Sequence, residues 1–378
     1  MASSDEPILD ASASPEDYPS SPSSASSFDS LFQDYLDNFP LPSPDEGAIP
    51  IMVNSCTGKM GRAVITEALL REMFVIPVSF GSEATSGQTY DICGKKIYKQ
   101  GFYHREIVLE ILLDKYPNMI VVDFTESSAV NDNVELYCYF GVPFVLGTHG
   151  GDRSLMHQKV KDSKGYALIS SHIGKQGIAF LGILEHMANR FPGIFAGYSL
   201  RVSDGPQYSR NFKNAGRGKD RGRKNGRGRE KVWNEVGRVA SLWKASSKDA
   251  VLAATRVIGS LDESKDQSYT IAKAAIACFK KMGVASNTNQ VELYRDPKLQ
   301  QELVGIHKEH LSCHEYQLFG LTSPDKTDLF QFQLKVGGRS MYARGTIDAV
   351  KFLAKKIKEQ DGKKLYNIID VLQAGYIE

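Results

Sequence analysis

The sequence predicts an α/β protein built on a doubly wound parallel sheet, with a second α+β domain that carries a mixed sheet. Three observations lead there. From Ile51 to Ser170, short β-branched runs alternate with helical periodicity, the pattern of parallel strands joined by crossover helices. Ile51–Leu70 passes from an apolar run through a small-residue turn into a helix whose Val64, Ile65, Ala68 and Leu69 recur at helical spacing. Beyond Gln290 longer alternating segments meet across Ser323-Pro324-Asp325-Lys326, which reads as a hairpin turn. A chain of 378 residues is long enough for two such domains.

Composition narrows the class. No run approaches the ~20 apolar residues of a membrane span, and no secretory pattern opens the chain. The five cysteines are odd in number, scattered and free of a Cys-x-x-Cys pair, which fits a reducing compartment with neither disulfide framework nor structural zinc. The net charge of +2 hides an asymmetry: residues 1–50 hold 10 acids and no Lys or Arg, leaving 46 basic and 34 acidic residues, a balance of +12, for the rest.

Residues 1–47 are rich in Ser, Pro and acid and read as a disordered tail. Within it Phe28, Leu31, Phe32, Tyr35, Leu36 and Phe39 share one helical face, a pattern open to partner docking or to transient helix alone. Strands are then expected at Ile51–Val53, Phe74–Phe80, Met119–Phe124, Val142–Gly147 and Tyr166–Ser170. Helices are expected after the first turn, at Ile107–Asp114, at Ser127–Phe140 and around Ile178–Arg190. The strand Tyr198–Val202, the helix Ala272–Lys281, the strand Gln290–Tyr294, and the hairpin His314–Leu321 with Asp328–Val336 build the second domain. The helix Thr346–Lys358 and the segment Leu365–Leu372 return to the first. The implied boundaries are 1–47, 48–176, 177–340 with a basic insertion at about 208–261, and 341–378.

Ligands of a doubly wound sheet sit beyond the carboxyl ends of its strands. The turn Ser55-Cys56-Thr57-Gly58-Lys59-Met60-Gly61 is the first such end. Small residues let a phosphate approach the backbone, and the helix start offers N–H groups and positive potential. Ser55 stands where a Rossmann-type dinucleotide fingerprint wants Gly, so Gly58 and Gly61 alone match, and an ordinary strand-to-helix turn is the competing reading. The other strand ends are Asp123-Phe124-Thr125, Gly147-Thr148-His149 and Ser170-Ser171-His172. Ser79-Phe80-Gly81-Ser82 lacks the carboxylate that commonly binds a ribose, which leaves NADPH and NADH both open.

Five ordered stretches, Val53–Gly61, Val122–Thr125, Gly141–Thr148, Gly174-Lys175-Gln176 and Tyr366–Leu372, resemble the 4-hydroxy-tetrahydrodipicolinate (dihydrodipicolinate) reductases of lysine synthesis, the plant-type branch in particular. The resemblance covers about residues 50–207 and 262–378. It implies a Rossmann-like domain that binds NADPH or NADH, a cyclic dicarboxylate substrate, a homo-oligomer and a place in the chloroplast stroma, against which the acidic N-terminus argues for the cytoplasm. It implies that Ser55, Cys56, Thr57, Gly58, Lys59, Met60 and Gly61 hold the cofactor pyrophosphate, with Asp123, Phe124 and Thr125 at the next strand end. It also puts Gly147, Thr148 and His149 beside the nicotinamide and makes Ser170, Ser171, His172 and Ile173 a further cofactor-contacting turn. The family usually has Thr where His149 stands.

The catalytic segment departs from the family. Asp204-Gly205-Pro206-Gln207 puts Pro206 in the place of the family histidine, and proline carries no side-chain proton. By spacing from Lys273, Lys265 takes the place of the catalytic lysine, with a surface lysine as the alternative. Tyr269-Thr270-Ile271 replaces a Ser-Gly-Thr turn, so Thr270 and Ile271 open the helix expected to bind a substrate carboxylate. Arg210–Lys231, with ten Lys or Arg, two acids and five Gly, is a solvated loop, a polyanion- or RNA-binding segment, or translated intron. A cofactor-binding scaffold or regulator without turnover is the rival of the reductase. His307, His310, Cys313 and His314 lack supporting acids, read as a sheet edge, and predict no metal.

Overall fold

A computed structural model describes residues 36, 41–170, 172–205, 270–285, 291–293, 297–302, 308 and 315–375. The remainder of the acidic tail, Pro206, the insertion at 208–261, Lys265, Tyr269, Ser171 and the His307, His310, Cys313 and His314 group lie outside them.

The first sheet is assembled from segments that the sequence buries on both faces. They are β1 (Pro50–Asn54), β2 (Phe74–Val75), β6 (Ile120–Asp123), β7 (Phe144–Leu146), β8 (Ala167–Ile169) and β13 (Leu365–Tyr366). All pairs are parallel in the order β13-β8-β7-β6-β1-β2, with Ile51 facing Val75 on one side and Ile120 on the other. The chain therefore reverses its winding at β1 and β6, which is where such a sheet opens a ligand crevice. Connecting helices are α1 (Lys59–Leu70), α2 (Arg105–Lys115), α3 (Val130–Phe140), α4 (Arg153–Asp162) and α5 (Lys175–Arg190). The helix α3 ends in Gly141 at φ 67°, the left-handed cap that glycine adopts without a steric penalty.

One expected strand is two. Phe74–Phe80 divides at Ile76-Pro77: Ile76 still donates to the Ile51 carbonyl at 2.9 Å, but Pro77 has no N–H with which to continue the ladder. The chain then crosses into a small second sheet, β3 (Val78–Phe80), β4 (Thr89–Ile92) and β5 (Lys95–Gln100), in the order β3-β5-β4. The hairpin β4–β5, absent from the sequence reading, turns through Cys93 and Gly94, both at positive φ. The helix α4 was also absent from it; Asp152 caps that helix by accepting from Leu155 N at 3.0 Å.

The mixed sheet of the second domain contains β9 (Ser199–Gly205), β10 (Val291–Leu293), β11 (Glu315–Thr322) and β12 (Leu329–Val336), ordered β10-β9-β11-β12. The β10–β9 pair is parallel and the others antiparallel. Against it lies α6 (Thr270–Lys281), whose Phe279 ring packs 5.5 Å from Phe319 and 5.4 Å from Phe332. A short helix, α7 (Pro297–Glu302), follows β10.

The helix α8 (Ser340–Lys358) starts six residues before the expected Thr346. Gly345 reads as a helix breaker, yet a Cβ there would fall 2.1 Å from the Ile173 carbonyl oxygen, so the glycine lets the helix lie on the chain after β8. After α8, β13 adds the outer strand beside β8, and Asn367 and Asp370 form a reciprocal capping box on α9 (Ile368–Gln373).

Candidate functional site

At the end of β1, Ser55 takes φ 60°, the left-handed conformation for which the fingerprint ordinarily uses Gly. Gly58 N donates to the Ser55 carbonyl at 2.9 Å and closes the turn. Gly61 lets α1 rest on it, since a Cβ there would fall 2.3 Å from Ser55 O and 2.9 Å from Cys56 Cα. No side chain caps α1 and no acid occupies its first turn, so its N-terminal potential meets no built-in anion. The turn is fixed from β3: Ser55 N donates to Phe80 O at 2.9 Å, Cys56 N to Ser79 Oγ at 3.2 Å, and Phe80 N to Asn54 Oδ1 at 2.8 Å. Burial pushes the Cys56 thiol pKa up, which makes it a packing residue. Thr57 is half-buried, Lys59 exposed, and Met60 leans on the core.

Beside the turn, Asp123 ends β6 fully buried and fully hydrogen-bonded. Its Oδ1 accepts from Thr125 N and Oγ1 at 2.8 and 2.6 Å, and its Oδ2 from Tyr137 OH at 2.5 Å and Asn133 Nδ2 at 3.0 Å. Tyr137 OH in turn accepts from Asn54 Nδ2 at 2.7 Å, and Arg105 Nη1 donates to Asn133 Oδ1 at 2.6 Å. Burial and the Asp123 charge hold the Tyr137 pKa well above its usual value, so the phenol stays a donor. The network locks the ends of β1 and β6 together through α3. Tyr137, Asn133, Asn54 and Arg105 were missed from the sequence, although an Asn at the end of an apolar strand is a readable signal.

The ends of β7 and β8 close the cleft. Gly147 N donates to Asp123 O at 3.1 Å, and Thr148 Oγ1 to Thr125 O at 2.9 Å. A Cβ on Gly147 would strike the Phe124 ring at 2.3 Å and Ile173 Cδ1 at 2.9 Å, so those two side chains meet over the glycine. The His149 and His172 rings stand edge to face at 5.4 Å, and Ser170 Oγ donates to His172 O at 3.2 Å. Burial, then the Arg153 charge, lowers the His149 pKa to about 4. Burial, His149 and Arg153 lower that of His172 to about 3. Both are neutral at pH 7. Arg153, on α4, anchors the loop by donating from Nη2 to Thr148 O at 2.8 Å.

The four strand ends, 55–61, 123–125, 147–149 and 170–173, thus surround one crevice, with Ser171 outside the described residues. A family model described as dihydrodipicolinate reductase, N-terminus, matches residues 49–171. The protein 4-hydroxy-tetrahydrodipicolinate reductase 2, chloroplastic, of Arabidopsis thaliana is 45% identical over 333 residues, 88% of this chain and 79% of that protein. The chain belongs to the dihydrodipicolinate reductase family. A second Arabidopsis relative, 4-hydroxy-tetrahydrodipicolinate reductase 1, chloroplastic, is 43% identical over 327 residues, 86% of this chain and 78% of its own length.

The crevice of this family member suits a nicotinamide dinucleotide on its own geometry. Ser55 keeps the left-handed turn, Gly61 keeps the close approach of helix and turn, and the start of α1 brings no carboxylate. Thr270 and Ile271, expected from the sequence at a substrate-binding helix start, open α6. The Ile271 side chain is buried, its Cδ1 3.5 Å from the Cβ position of Gly177 in the first turn of α5, so it serves the packing between α5 and α6.

Proposed function

We propose that the chain is an NAD(P)H-dependent 4-hydroxy-tetrahydrodipicolinate reductase, forming tetrahydrodipicolinate on the diaminopimelate route to lysine in the chloroplast. Identity of 45% across 88% of the chain carries the reading, and the crevice of strand ends supports it. NADPH or NADH, when bound, supplies the hydride. In this reading the backbone of Ser55–Gly61 takes the pyrophosphate, Asp123 holds the adjoining loop through Thr125, and the loops at Gly147–His149 and Ser170–Ile173 exclude water from the reacting face. Neutral imidazoles at His149 and His172 add hydrogen-bonding groups there without adding charge. The start of α6 at Thr270 and Ile271 binds a substrate carboxylate, and Lys265 delivers the proton.

One residue favours a second reading. By the resemblance, Pro206 takes the place of the family histidine, and loss of a positioned acid typically costs ~10²–10⁴ in rate. A relative that binds the cofactor and turns over slowly or not at all, as scaffold or regulator, follows from it. Substrate-dependent oxidation of NADPH by the purified chain separates the two. Turnover supports the reductase, whereas cofactor binding without turnover, unrescued by restoring the family pattern over residues 206–271, sinks it. Assembly into a homo-oligomer belongs to the same proposal: β12 is an edge strand among the described residues, and Leu329 and Phe330 on it are exposed. Sedimentation reads that directly.

A further inference from the structure

We infer that Lys99, seated over Gly81, is the residue that selects the cofactor, reading a 2′-phosphate on the adenosine ribose and so favouring NADPH over NADH. The inference rests on the dinucleotide reading of the crevice. Lys99 lies on β5, outside the turn that the sequence singles out, and is only 6% exposed. Its Nζ reaches to 3.5 Å from Thr57 Oγ1, in the turn itself, and to 5.6 Å from the Tyr90 ring centroid. Among the described residues no carboxylate forms an ion pair with it. A buried ammonium held only by a hydroxyl and a ring is poorly compensated, and an anion placed there supplies what the protein does not.

The position of that ammonium specifies which anion. In a doubly wound dinucleotide fold, the strand after the first crossover ends at the adenosine ribose; a carboxylate there binds the 2′-hydroxyl, and a cation takes a 2′-phosphate. Here that strand is β2, its line carried past Pro77 by β3, whose Phe80 carbonyl accepts from Ser55 N at 2.9 Å, and the residue after it is Gly81. A Cβ on Gly81 would fall 2.5 Å from Lys99 Cε and 3.0 Å from Nζ, so the lysine occupies the space where a side chain at the strand end would stand. The first acid beyond, Glu83, is engaged elsewhere, its Oε2 accepting from Phe102 N at 2.6 Å. Arg62, exposed on α1, donates from Nε to Thr57 O at 3.3 Å and places a second cation on the same turn. A hydroxyl alone gives this ammonium little to bind, whereas a phosphate gives it a charge-assisted hydrogen bond.

Calorimetric titration of NADPH, NADH, adenosine 2′,5′-bisphosphate and 5′-AMP into the full chain tests this. The wild type is expected to bind NADPH at least about 10-fold more tightly than NADH, the scale of one hydrogen bond to a charged group. Lys99→Met, which keeps the apolar stem, is expected to weaken NADPH and the bisphosphate by about 10- to 100-fold while leaving NADH within about twofold. Lys99→Arg is expected to retain the preference. Equal affinities in the wild type, or an equal loss of both dinucleotides in Lys99→Met with its thermal unfolding unchanged, overturns the inference and leaves the reductase reading intact. Binding of neither dinucleotide by the folded wild type overturns both.

Discussion

Gly61 and Ser55 show what a single residue contributes to this crevice. A methyl group at Gly61 would meet the Ser55 carbonyl at 2.3 Å, a clash with backbone that no rotamer relieves. Gly61→Ala is therefore expected to destabilise the fold by about 1–3 kcal/mol and to weaken dinucleotide binding at least about tenfold, read by urea unfolding and calorimetry. The glycine was legible in the sequence because only close packing asks for it there. Ser55 was legible only as a mismatch, since no residue pattern announces that a serine will adopt φ 60°. The histidines give a pH signature. Both have folded pKa values below the ordinary imidazole value of about 6.5, so the unfolded chain takes up protons first as the solution is acidified. Their contribution to stability is complete above pH 6.5 and is lost between pH 6.5 and about 4 for His149, and down to about 3 for His172. Each imidazole that differs by a full proton adds a slope of about 1.4 kcal/mol per pH unit. Denaturation at pH 7, 6 and 5 is expected to show the loss, and His149→Gln to flatten it.

Elements register differently in a sequence according to what buries them. The strands β1, β6, β7 and β8 were readable because a parallel strand covered on both faces is a plain apolar run. The hairpin β4–β5 was not, because Thr89–Ile92 is largely exposed and its turn uses Cys93 in a left-handed conformation. The kink at Pro77 was visible as a proline, but which sheet its second half would join depends on partners twenty residues away in β5. The helix α3 carries the most consequential hidden feature, a buried tyrosine whose ring packs 5.3 Å from Phe144 while its hydroxyl serves Asn54 and Asp123. Tyr137→Phe keeps the packing and removes the hydroxyl, leaving a buried amide and a buried carboxylate each one partner short. Destabilisation of about 1–3 kcal/mol follows, measurable as a lower urea midpoint at unchanged slope. The same variant should weaken dinucleotide binding, because the ends of β1 and β6 then lose their shared anchor; unchanged affinity would confine Tyr137 to folding.

Across the whole molecule, the doubly wound sheet and mixed second sheet were legible, because alternation and turn chemistry are local signals. What ties separated helices together was not. Asp348, on α8, is buried with Lys175 on α5 and with Arg71 at the end of α1, its Oδ1 accepting from Arg71 Nη1 at 2.9 Å and its Oδ2 from Lys175 Nζ. Lys175 was visible within Gly174-Lys175-Gln176, but its partner is 173 positions away and nothing in an amphipathic helix announces which acid will face inward. Arg71, Lys175 and Asp348 join α1, which follows the β1 turn, α5, which follows the β8 loop, and α8, which lies against both. Breaking their ion pairs should cost more than the attraction is worth, because the remaining charge stays buried. Asp348→Ala is expected to lose about 3–5 kcal/mol, whereas the double change Asp348→Leu with Lys175→Met, of similar volume and without a buried cation at Lys175, is expected to recover most of that loss. Urea unfolding of the single and double variants measures the difference. If the double variant is as unstable as the single one, the attraction of Asp348 for Lys175 and Arg71 together holds these helices.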